Sequence, residues 1–148
     1  MGTDITSSHA GFPFAGENKV SVLQQRITAT TAKPWVSGTT YHVFNIPINT
    51  LALTAWYEIV TLDAGGATVT VNFASTAASI TAITTGATSG AAGTAVIPAN
   101  TSTVHKWYEV AGTVDIVIGG ANATTAVIDL FVAVVNSAVQ STETIYVS

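Results

Sequence analysis

The sequence predicts an all-β protein, an antiparallel β-sandwich or jelly-roll-like barrel with an internal duplication and an extended N-terminal arm. Three observations point there. Short runs rich in Val, Ile and Thr alternate apolar with polar residues. Glycine-marked turns separate these runs, and helix-period spacing is almost absent. The third observation is a repeat. Ile46-Pro47-Ile48-Asn49-Thr50, followed by Trp56-Tyr57-Glu58-Ile59, returns as Ile97-Pro98-Ala99-Asn100-Thr101 and Trp107-Tyr108-Glu109-Val110, every matched position offset by 51. A gapless match of this kind reads as a duplicated β unit, with repeat units at about 40–92 and 93–148.

Residues 1–18 carry Gly2, Gly11, Gly16, Pro13 and the pair Phe12/Phe14 without periodicity, which reads as an extended arm ahead of a single β-sandwich domain at 19–148. From Lys19 to Thr31 the pattern turns to strand, and Lys33-Pro34 with Ser37-Gly38 breaks it. Tyr41 to Ile48 is the next strand, and Pro47 near its end suits an edge better than a central ladder. Leu53 to Leu62 follows. Asp63-Ala64-Gly65-Gly66 then offers the residues of a tight hairpin. In the strand after it, Val69, Val71 and Phe73 face one way and Thr68, Thr70 and Asn72 the other, so one face is core.

Ser79 to Thr84 predicts a short strand, and Gly86 to Gly93 a flexible connector. In the second copy Val104, Tyr108 and Val110 alternate with Thr103, His105, Trp107 and Glu109. Ala111-Gly112 turns the chain, and Val114, Ile116 and Ile118 face the core. The run from Ala126 to Val135 is apolar on both parities, with Asp129 set among Val127, Phe131 and Val135. Ten residues so rich in Val and Ile make a better strand than helix, and a strand apolar on both faces is covered on both. That implies a central sandwich position under the arm, or a subunit interface. Thr144 to Val147 would add an edge strand, for about eight strands in all.

Composition narrows the function. Four basic and eight acidic residues, a net charge of −4, leave Thr, Ser, Asn and Ala to cover the surface. Four scattered cations cannot neutralise many phosphates, so a nucleic-acid partner is not expected. There is no cysteine for a disulfide or thiolate metal site. The longest apolar run is too short for a membrane span, and no secretory signal is visible at the start.

Catalytic patterns are missing. His9, His42 and His105 do not pair at ligand spacing, and the repeat does not reproduce them. The repeat does reproduce Glu58 as Glu109, which invites a glycosidase-type carboxylate pair. A glutamate alternating within a strand normally points outward, however, and duplicated positions need not converge. No catalytic residue, cofactor or metal is expected. Trp56 and Trp107 matter more, because both lie on the face opposite Tyr57/Ile59 and Tyr108/Val110. If the tyrosines are core, the tryptophans stand at least partly outside, as interface anchors or as stacking platforms for a sugar.

The Thr/Ala/Val/Gly-rich β chain, the loose arm and the closing Val127-Ile128-Asp129-Leu130-Phe131-Val132 strand resemble the small head-decoration (cement) proteins of tailed bacteriophages. The resemblance implies a non-enzymatic virion protein on the capsid exterior, made in the host cytoplasm and often trimeric, that clamps the major capsid protein and neighbouring copies of itself. Phe12, Phe14, Trp56, Trp107, Val127, Phe131 and Val135 are then the expected contact residues. A carbohydrate- or receptor-binding module of a fibre or tail is the alternative, with the tryptophans under the ligand.

Overall fold

A computed structural model describes residues 20–75, 80–98 and 105–136. Among them are nine strands and no helix: β1 (Val20–Thr28), β2 (Thr40–Ile46), β3 (Thr50–Thr61), β4 (Thr68–Ser75), β5 (Ile80–Ala87), β6 (Ala95–Val96), β7 (Lys106–Tyr108), β8 (Gly112–Gly119) and β9 (Val127–Asn136). They form two antiparallel sheets packed as a sandwich. The first has the order β1-β9-β3-β6, with β7 also on β3, and the second has the order β2-β8-β4-β5. The expected arm and the Thr144–Val147 strand lie outside the described residues.

The chain crosses between sheets at six of the eight connections among the described strands, and the apolar faces of the two sheets meet between them. Tyr57, Ile59, Ile128, Leu130 and Val132 from the first sheet bury against Val69, Val71, Phe73, Val114, Ile116 and Ile118 from the second. Each such side chain removed from water contributes about 1.5–3 kcal/mol before entropy is counted. Phe73 meets Tyr108 edge-to-face across the core, ring centroids 6.5 Å apart.

Two turns act differently from the sequence expectation. Asp63-Ala64-Gly65-Gly66 closes no hairpin; it carries the chain from β3 in the first sheet to β4 in the second. The reason is the Asp63 side chain, which is buried and not at a turn surface. Its carboxylate accepts from Gly65 N (2.9 Å) and Thr124 N (3.1 Å), and from the Thr125 hydroxyl (3.3 Å), tying this corner to the loop before β9. Gly66 supplies the positive φ of +73° that the corner needs. The Gly86–Gly93 stretch begins inside β5, not in a connector. Gly86 lies so close to Tyr57 that a Cβ there would stand 2.7 Å from Tyr57 Oη, and Thr88 is buried with its hydroxyl donating to Ala67 O.

Both tyrosines of the repeat are fully buried, and the strands that carry them pair with each other at Thr50↔Tyr108 and Leu51↔Trp107. Their sequels, β4 and β8, pair in the opposite sheet. The copies stand differently, though. Twelve-residue β3 runs through the middle of its sheet, whereas β7 is a three-residue edge piece. Ile46 is buried at 1% exposure and its counterpart Ile97 stands 68% exposed. Val110, expected in the core, lies past the end of β7 and is 37% exposed. Both sheets draw strands from both halves of the chain, so the units at 40–92 and 93–148 interleave.

Candidate interaction surface

The outer face of the first sheet is assembled by register. Across β1, β9 and β3 the side chains stand in rows: Arg26–Asp129–Glu58, then Gln24–Phe131–Trp56, then Val22–Ala133–Thr54, then Val20–Val135–Leu51 with Trp107 beyond it on β7. Alternation puts these residues opposite the core-facing set, because neighbouring Ala55, Tyr57, Leu130 and Val132 are all buried inward. One end of the face is therefore charged and the rest is mostly apolar, with Gln24 and Thr54 the polar exceptions in these rows.

The charged end is internally matched. Arg26 donates from Nε to Asp129 Oδ1 (2.8 Å) and from Nη2 to Asp129 Oδ2 (2.7 Å), a two-pronged contact that pins edge strand β1 to β9. Arg26 holds the Asp129 carboxyl below its ordinary value, first by hydrogen bonding. Asp63, at the corner, is also held low. Burial alone would raise it, but the N–H groups of Thr124, Gly65 and Thr125 outweigh that effect. On the second sheet, His42 Nδ1 and Asp115 Oδ1 lie 2.8 Å apart.

The apolar end is partly exposed among the described residues. Trp56 stacks on Phe131, centroids 5.3 Å apart and rings 8° from parallel, across the β3–β9 pair. Trp107 is 43% exposed, and Val20 and Val22 are exposed by just over half. Of the sequence-predicted contact residues, the structure places Trp56, Phe131, Val135 and Trp107 together on this stripe. Val127 sits on the same face but past the charged row, opposite Thr28 and Thr61. Phe12 and Phe14 lie outside the described residues.

Sequence reasoning missed Val20, Val22, Gln24, Leu51 and Arg26 as members of this face. In β1 the apolar residues split between parities, Val20 and Val22 on one and Leu23 and Ile27 on the other, so the sequence alone gives β1 no outward side. Only its register against β9 does. Trp35 was missed as well; it is buried and bridged to Ala123.

Among the described residues no group of three His, Asp or Glu could hold a metal ion. Glu58 stands in the row with Asp129 and Arg26, while Glu109 is exposed beyond β7. A shallow groove of about 390 Å³ lies between β1 and β2, lined by Gln25, Ile27, Lys33, Trp35, Tyr41 and His42 among others.

No family model and no curated protein matches the sequence. Solved structures do match the fold. A chain of the capsid of Ralstonia phage GP4 aligns with a TM-score of 0.59 at 20% identity, covering 84% of this chain and 88% of that one. A chain of the acidic stable capsid structure of Helicobacter pylori bacteriophage KHP30 aligns with a TM-score of 0.53 at 12% identity, covering 80% and 94%. A structure of Bacillus endospore appendages, described as a family of disulfide-linked pili, reaches 0.37 at 20% identity over 80% and 92%, too low a score to mean a shared fold. High coverage on both sides makes the two phage chains similar in length to this one. This chain thus shares its β-sandwich fold with one chain in each of two phage capsid structures.

Proposed function

We propose that this chain is a non-enzymatic structural protein of a phage virion. It sits on the capsid exterior as a decoration or cement protein, and it binds the major capsid protein and neighbouring copies of itself. The observation that carries the reading is the outer face of the first sheet. In a chain with only twelve charged residues, four of its larger apolar side chains (Trp56, Phe131, Leu51 and Trp107) line one stripe beside exposed Val20 and Val22. Apolar stripes of this kind are unusual on monomers and mark contact surfaces. Their contribution of about 25 cal/mol per Å² covered accumulates when many copies bind around a shell. The shared fold and matching length of chains in two phage capsids support the same reading.

In this account Trp107, Val135 and the Trp56–Phe131 stack make subunit contacts, and the arm carrying Phe12 and Phe14 reaches a neighbour. A trimer is the assembly that the cement-protein resemblance implies. The test is reconstitution: capsids stripped of the protein should rebind it and break at a higher temperature when they do. Failure to bind any shell component would reject the reading. An exposed tryptophan also suits a sugar-stacking site, so a glycan array is the matching control. Binding there that is lost in Trp107→Ala would favour a receptor-binding module instead.

A further inference from the structure

The four sheet edges seen among the described residues are not alike. β2 is shifted in register between His42 and Phe44, and β5 is shifted against β4 between Val71 and Asn72. The edge beyond β3 is made of fragments of two and three residues, β6 and β7. Breaks and short lengths are the usual means by which a sheet refuses a further strand. β1 has none of them. Its nine residues hold unbroken register with β9, from Val20↔Val135 to Thr28↔Val127, and contain neither proline nor lysine. Its single charge, Arg26, is exposed but bonded across the sheet to Asp129.

The layer beneath this strand is also incomplete. Leu23 and Ile27, which face inward, are only half-buried, and Gln25 between them is exposed. Their register partners on β9, Val132, Ile128 and Leu130, are fully buried. Among the described residues no strand covers this edge of the sandwich.

We propose that β1 pairs antiparallel with β1 of a second copy, about a two-fold axis through Gln24, fusing two five-stranded sheets into one. The strand is complementary to itself in that register. Val20 faces Thr28 of the second copy, Val22 lies beside the aliphatic stem of Arg26, and Gln24 faces Gln24 with donor and acceptor to exchange. No like charges are opposed. The exposed Val20 and Val22 would extend the apolar stripes of both copies across the joint. The contact requires no capsid, so it stands or falls separately from the virion reading.

The test uses Gln24, which is exposed, so its variants should keep the wild-type circular dichroism spectrum. Sedimentation at low salt would compare the intact protein, Gln24→Lys, Gln24→Glu and an equimolar mixture of the two variants. Like charges directly opposite each other destabilise a strand pair. Each variant alone should weaken the two-fold contact by roughly two- to fivefold, lowering the average mass near the wild-type dissociation constant from about 1.5 to about 1.2–1.4 protomers. Mixing the two variants should restore the mass, because Lys then faces Glu. A monomeric wild-type protein, a variant with unchanged mass, or a mixture that fails to recover would each overturn the proposal.

Discussion

Trp107→Ala separates the proposed contact face from the fold. Trp107 is 43% exposed on the short edge strand β7, beside Leu51. A tryptophan presents on the order of 250 Å², so roughly 100 Å² remains free for a partner. Complete coverage at ~25 cal/mol per Å² corresponds to about 2.5 kcal/mol. Association never recovers all of that area, so the per-copy dissociation constant should rise between about tenfold and about 60-fold. The buried remainder of the ring, roughly 140 Å², is lost too, costing up to about 3.5 kcal/mol of stability at the same coefficient, or a Tm lower by up to about 7–14 °C. The assay is a titration of stripped capsids with both proteins, read by co-sedimentation, beside a thermal melt. A variant that melts within that range yet decorates capsids as tightly as wild type would refute the assignment of this face.

Other perturbations test the fold that holds the face in place. Asp63→Ala removes the acceptor at the β3–β4 corner and should cost about 2–3 kcal/mol in urea unfolding, with Asp63→Asn losing less. Asp63 and Asp129 both titrate below the ordinary aspartate value of about 3.9 in the folded chain. Their contribution is therefore fully present above about pH 4 and is lost as pH falls through the folded-state values, so acid unfolding should set in below that point. The Asp63→Ala protein should show a shallower acid limb.

The two repeated tyrosines should also respond differently to loss of the hydroxyl. Tyr108 donates to Thr113 O at 2.9 Å, so Tyr108→Phe should lose about 1 kcal/mol. Tyr57 Oη is buried with no partner among the described residues, and Tyr57→Phe should be neutral or stabilising. Gly86→Ala, whose Cβ would stand 2.7 Å from that same oxygen and from Val96 Cγ1, should cost about 1–3 kcal/mol in the same assay.

Much of this fold was legible because its strands alternate. Val69/Val71/Phe73 and Val114/Ile116/Ile118 announce one buried face each, and the structure buries all six. Ala126–Val135 was readable as a strand apolar on both parities, and it lies between two neighbours in the first sheet. Strand pairing was not legible. The glycines after Asp63 look the same in a hairpin and in a corner between sheets, and what decides is Asp63's hydrogen bonds to Thr124 and Thr125, some sixty residues away. The repeat located Trp56 and Trp107, since a buried tyrosine in an alternating strand forces its neighbour outward. It could not show that Trp56 meets Phe131, which needs the β3–β9 register. Nor could it show that Val110 falls past a strand end. Matched positions of the two copies meet different neighbours, so Ile59 in β3 is core and Val110, past the end of β7, is surface.

If the outer face of the first sheet is a contact surface on a virus particle, that face should be covered when the chain is bound to a capsid. Cryo-electron microscopy of capsids reconstituted with the purified chain tests it most directly. The expected density lies on the shell exterior, with Trp107, Val135 and the Trp56–Phe131 stack turned against the shell or a neighbouring copy. A bound chain holding that stripe in solvent, or capsids that remain bare at saturating protein, would contradict it.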